Sequence, residues 1–195
     1  MEQGTLDFSW LRQEKNNMKI AIFSSADSYI SEENKKICID ILKYLLNFDV
    51  VLVTGGSLGI PGFMVEEYKK MGGKTIMYSP DPDPEKHSLR HDNHEIYHYD
   101  EVFFDDGFTK RSLNMIKNVD GAIALNGRTG TLCESLIAIE EGIPIVIIDS
   151  ADGVCEHFKE IISYTEKEPT GFLEIGSSYG NQIDKLINYI KKHSR

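Results

Sequence analysis

The chain has 195 residues, 41% of them apolar and 27% charged, and its formal net charge is −10. That length suits one domain whose core is large enough to fold without disulfide or metal staples. The acidic balance sets the surface against nucleic acid and anionic lipid, so neither is expected as a partner, yet a small anion can still be held by local backbone amides.

Residues 1–17 are polar and mixed, and read as an appendage to a domain spanning 18–195. Two readings of it stay open: a docking arm built on Phe8, Trp10 and Leu11, or an alternative start. No apolar run is long enough for a membrane span and no hydrophobic leader core precedes the first strand, so a cytoplasmic protein is expected. Cys38, Cys133 and Cys155 lie far apart in apolar stretches, without a CxxC pair. They read as small buried hydrophobes in a reducing compartment.

Short apolar runs rich in β-formers alternate with longer helical patterns. The first strand is expected at Lys19 to Phe23. A helix follows from about Ser31, with Ile37, Cys38, Ile41, Leu42 and Leu45 as its buried stripe. Val50 to Val53 reads as a strand, and about Gly62 to Met71 as a helix stopped by Gly72-Gly73. Thr75 to Tyr78 is the third strand. Ser79 to Asn93 reads as a long loop, Glu95 to Phe104 as extended, and about Thr109 to Lys117 as a helix. Gly121 to Leu125 is a strand, Gly130 to Glu141 a helix, and Ile143 to Ile148 a central parallel strand. Helices near Val154 to Tyr164 and Asn181 to Lys192 end the chain. The alternation predicts a single doubly wound, Rossmann-like α/β domain, a parallel sheet with helices on both faces.

Two glycine-bearing loops each join a predicted strand to a predicted helix. One runs Gly55-Gly56-Ser57 to Gly62-Phe63-Met64, the other Asn126-Gly127-Arg128-Thr129-Gly130-Thr131. Glycine lets backbone approach a phosphate closely, and the amides at the next helix start stabilise its charge. Neither loop has the Gly-Lys-Ser/Thr of a P-loop, and the first strand lacks the dinucleotide G-x-G-x-x-G. Glu134, one turn into its helix, reads either as an acid complementing the helix dipole or as a catalytic carboxylate facing a sugar. Arg111 reads as a surface cation or a phosphate clamp.

His94-Glu95-Ile96-Tyr97-His98 fits H-E-x-x-H literally, which on a helix makes a zinc-protease site. The β-rich residues after it do not frame such a helix and no third ligand is identifiable, so no metal site is expected. A solvated polar loop is the preferred reading for His87, His91, His94 and His98, with adventitious metal binding behind it.

The stretches Gly55-Gly56 to Met64, Arg111-Ser112-x-x-Met115 and Asn126-Gly127-Arg128-Thr129-Gly130-Thr131-x-x-Glu134 occur in that order at strand ends. Over about residues 18–150 the chain thereby resembles the family once misnamed lysine decarboxylase. That family contains the Lonely-guy phosphoribohydrolases and the molybdenum cofactor carrier proteins, and is related to the DNA-processing protein DprA. The resemblance implies a Rossmann-like fold, a homodimer or higher homo-oligomer, and a small phosphorylated ligand. For its hydrolase branch it implies cleavage of a nucleoside 5′-monophosphate to base and ribose 5-phosphate, with Arg111 and Glu134 in the catalytic positions. No required cofactor is implied. The hydrolase pattern has proline at Asn126, glycine at Arg128 and lysine at Ser112. These departures point toward the alternative, a non-catalytic carrier or sensor with molybdenum cofactor as cargo.

Overall fold

The computed structural model describes residues 17–90, 96–165 and 169–193. Seven strands form one parallel sheet: β1 (Lys19–Phe23), β2 (Val51–Thr54), β3 (Lys74–Ser79), β4 (Glu101–Phe104), β5 (Gly121–Leu125), β6 (Ile145–Ile148) and β7 (Leu173–Gly176). Their order across the sheet is β4-β3-β2-β1-β5-β6-β7. The inner strands β2, β5 and β6 are buried along their whole length, as continuous apolar runs should be when helices cover both faces.

The helices are α1 (Glu32–Leu46), α2 (Ile60–Lys70), α3 (Pro84–Arg90), α4 (Phe108–Lys117), α5 (Thr129–Glu140), α6 (Phe158–Ser163) and α7 (Tyr179–His193). Side-chain alternation along β1 shows how they divide. Ile20 and Ile22 point into a core with α1, α2 and α7, while Ala21 and Phe23 point into a second core with α4, α5 and α6. The doubly wound expectation is therefore what the sheet shows. Among the described residues, no helix is long and apolar enough to cross a membrane.

Several local expectations need correction. The stretch read as loop from Ser79 to Asn93 contains α3, opened by Pro84 where a missing N–H costs a helix nothing. Of the extended stretch expected at Glu95 to Phe104, only Glu101–Phe104 is strand among the described residues; Ile96–His98 is a 3-10 turn. The second helix begins at Ile60 rather than Gly62, with Pro61 in its first turn. Val154 to Tyr164 divides into a 3-10 turn, Gly153–His157, and α6. The strand β7 was not foreseen.

His87 is fully buried rather than solvated, its Nδ1 2.9 Å from Ser79 Oγ. His91, His94 and Glu95 lie outside the described residues, as do Phe8, Trp10 and Leu11 of the expected arm. Among the described residues, no group of three His, Cys, Asp or Glu side chains is placed to hold a metal ion.

The cysteines divide as well. Cys38 and Cys155 are buried, and burial pushes both thiols up to about 12. Cys133 is exposed on α5, against the expectation that all three are interior. In the native protein a thiol reagent at neutral pH should therefore titrate one cysteine rapidly, and all three only after denaturation. Cys133→Ser should abolish the rapid reaction.

Candidate ligand site at the switch point

The chain runs outward from β1 through β2 and β3 to β4, then returns to place β5 on the other side of β1. The loops after β1 and β5 therefore diverge, leaving a crevice at the carboxyl ends of the strands where ligands of such sheets bind. A cleft of about 290 Å³ lies there. Its walls come from the β1 loop (Ser24, Ser25, Asp27), the β2 loop (Gly55, Ser57), Phe108 and Arg111 of α4, and Arg128, Gly130, Thr131 and Glu134 of the β5 loop and α5.

The cleft's charged centre is a buried ion pair. Arg111 Nη1 donates to Glu134 Oε1 at 2.7 Å, and Ser112 Oγ donates to the same oxygen at 2.9 Å. Both charged side chains are 11% exposed. Such burial is tolerable only because each charge meets the other and further hydrogen bonds. A Cβ built on Gly55 would overlap Arg111 Nη1, so glycine at 55 is the room the guanidinium occupies. Two further buried polar atoms of cleft residues, Arg111 Nε and Ser24 Oγ, have no hydrogen-bond partner among the described residues.

Two helices aim their starts at this region. The N-cap position of α5 (Arg128) makes no side-chain cap bond, so its first-turn amides stay open to an anion, whereas at the α2 start the Ile60 N–H already donates to Ser25 O at 3.0 Å and Pro61 has no N–H to offer. The turn before α5 is built from Asn126 and Gly127 at φ 55° and 90°, with the Asn126 side chain accepting from the Gly127 N–H. It is braced from behind by the loop after β6. The Val154 N–H donates to Gly127 O at 2.9 Å, and Cys155 Sγ donates to Asn126 O at 3.0 Å. The raised Cys155 pKa keeps that donor protonated at neutral pH. Gly153 backs Gly127 so closely that a Cβ on it would lie 2.5 Å from Gly127 O. Across the mouth, Arg128 pairs with Asp27 at 2.7 Å.

Of the residues singled out in the sequence, Gly55, Ser57, Arg111, Arg128, Gly130, Thr131 and Glu134 line this one cleft. Asn126 and Gly127 shape the turn beneath it, and Thr129 stands exposed at the start of α5. Gly56 packs toward Met77 and His87 instead. Gly62 is buried in the first turn of α2, and Met64 is fully buried among the α1–α2–α7 core residues. Ser24, Ser25, Asp27 and Phe108 were not foreseen. The signal for the first three was available, since they directly follow the central strand. Phe108 lies three residues before Arg111 and so on its helix face.

A model of the SLOG cluster4 family matches residues 17–178. No curated protein matches the sequence. Among solved structures, the molybdenum cofactor binding protein of Rippkaea orientalis is 18% identical, over 91% of this chain and 99% of that one, with a TM-score of 0.67. The molybdenum cofactor carrier protein of Chlamydomonas reinhardtii is 16% identical over 88% and 99%, with a TM-score of 0.65. The single-stranded-DNA-binding DNA processing protein A of Helicobacter pylori is 19% identical over 90% and 81%, with a TM-score of 0.59. At these identities the likeness shows a shared fold.

The ion pair makes a stability prediction. Arg111→Ala leaves the Glu134 carboxylate buried without its cation and should cost about 3 kcal/mol in urea unfolding. Glu134→Gln in the same background should recover part of that loss, giving a coupling well outside error in the double-mutant cycle.

Proposed function

The chain belongs to the SLOG cluster4 family, and from that premise we propose that it binds a small phosphorylated ligand in the switch-point cleft. The observation that carries this reading is the buried Arg111 guanidinium, seated against Gly55 with an unpartnered Nε–H, at a cleft fronted by the uncapped start of α5. A phosphate in the cleft would accept from Arg111 and from the first-turn amides of α5, and Ser24 Oγ would supply a further donor. Holding the phosphate fixes the position of whatever it is attached to.

The carrier form of this reading is the better supported. Two proteins of the same fold are named for molybdenum cofactor, and the cargo here would likewise be a phosphorylated cofactor of pterin type. Arg128 at the cleft mouth adds positive charge suited to a strongly anionic ligand. Single-stranded DNA, bound by the Helicobacter protein, suits this chain less well, because a chain of net charge −10 repels a polyanion.

A second reading, N-glycosidic hydrolysis of the Lonely-guy type, is favoured by the Glu134 carboxylate on the cleft wall. The bond from sugar C1′ to the base nitrogen would break with its electron pair leaving on the base. Glu134 would stabilise the oxocarbenium-like sugar, and water would add to C1′ while its proton passes to the departing base nitrogen, giving free base and sugar 5-phosphate.

One experiment separates the two. The protein is incubated with nucleoside 5′-monophosphates while base release and thermal unfolding are both followed. Ligand at about a hundred times Kd should add about 2.7 kcal/mol of stability, and Arg111→Lys should lose most of that gain. Stabilisation without base release supports the carrier form. Base release that vanishes in Glu134→Gln establishes the hydrolase. Neither effect, with any phosphorylated ligand including a pterin phosphate, rejects both.

A further inference from the structure

The ion pair at the cleft mouth has an unusual position. Asp27 stands on the loop after β1 and Arg128 on the loop after β5, and the two side chains close at 2.7 Å across the opening. Both loops also have ties of their own. The Asp27 N–H donates to Ser25 Oγ at 3.1 Å, and Ser25 O accepts from the Ile60 N–H at 3.0 Å, which ties that loop to the start of α2. The Arg128 loop is braced by Val154 and Cys155, as described above. The side chains are 47% and 77% exposed, and a pair so exposed adds little to stability. Its effect falls instead on what can reach Arg128.

We propose that Asp27 is a latch on Arg128, its carboxylate occupying the guanidinium as an internal stand-in for the ligand's phosphate that the phosphate must displace. The proposal rests on the phosphate-cleft reading. Breaking the Asp27–Arg128 pair is a fixed cost for every ligand, whereas the return from Arg128 grows with ligand charge. A phosphomonoester carries about −1.5 to −2 at neutral pH, and a phosphodiester a single negative charge. A monoester therefore repays the cost and takes Arg128, while a diester leaves the pair largely in place.

The test measures binding by calorimetry with two probes, adenosine 5′-monophosphate and its 5′-methyl phosphodiester, on the full chain. The wild type should prefer the monoester. Asp27→Asn should bind the monoester about threefold tighter or more, in keeping with the modest strength of an exposed pair. The diester should gain by a smaller factor, because Asp27 had cost it only the weaker return that Arg128 offers a single charge, so that the preference widens. In Asp27→Asn/Arg128→Gln the gain should disappear, because nothing is left to release. Asp27→Ser serves in place of Asp27→Asn if the latter does not fold. Unchanged or weaker monoester binding in the Asp27 variant overturns the latch and makes Asp27 neutral or a direct ligand contact. A gain that persists without Arg128 also overturns it, as simple relief of repulsion. If neither the wild type nor the Asp27 variant binds either probe, while a pterin phosphate does bind, the preference is measured on that ligand and its methyl diester instead. If no phosphorylated compound binds at all, the cleft reading itself falls.

Discussion

A guanidinium has been taken out of water at the carboxyl edge of the sheet, and the cleft is arranged around the requirement that Arg111 be neutralised there. A charge this buried is acceptable only with a counter-charge and hydrogen bonds in good geometry. Glu134 supplies the first, Ser112 helps fix the carboxylate that supplies it, and Gly55 leaves the space. These residues lie on α4, α5 and the loop after β2, so only the completed fold can satisfy the pair. Local helix propensity could not build this centre.

The strand order makes that meeting possible. Because β5 returns to the far side of β1, the loop after β5 faces those after β1 and β2 across a gap rather than packing beside them. The sheet beneath is held from both faces by alternating side chains, Ile20 and Ile22 to one core, Ala21 and Phe23 to the other. A floor clamped on both sides moves little, and so the loops can carry chemistry without carrying stability. Their short backbone ties, from Ile60 to Ser25 and from Val154 to Gly127, set the aperture.

How much of this was legible in the sequence follows from where the burial is. The strands buried on both faces announce themselves as apolar runs: Gly121–Leu125 stands in the structure with the bounds its composition implies. The strand β7 does not, since Leu173–Gly176 is a half-buried edge segment interrupted by Glu174 and ended by glycine. Helix α3 is short, opens on a proline and carries the buried His87, features that in sequence look like a polar loop. The glycine loops pointed to the right strand ends, and seven residues drawn from them and from the Arg111–Glu134 motif face one cleft. Composition could not separate a glycine that lines that cleft, such as Gly55, from one that packs away from it, such as Gly56. Nor could it show that Met64 belongs to the core, because a helix start contributes both its amides to the site and its apolar side chains to the interior.

Gly153 carries a further consequence. It does not line the cleft and follows a different strand from the glycine loop, yet a Cβ on it would lie within 2.9 Å of backbone atoms of Asn126 and Gly127. Its φ of 67° independently disfavours other residues. The aperture is therefore set partly by a position that a search confined to ligand-facing side chains would pass over. Natural variation or engineering at 153 would act as a lesion of the cleft at a distance, tilting the start of α5 while leaving every recognition residue in place. Retuning the ligand size this fold admits would then begin behind the loop rather than on its face.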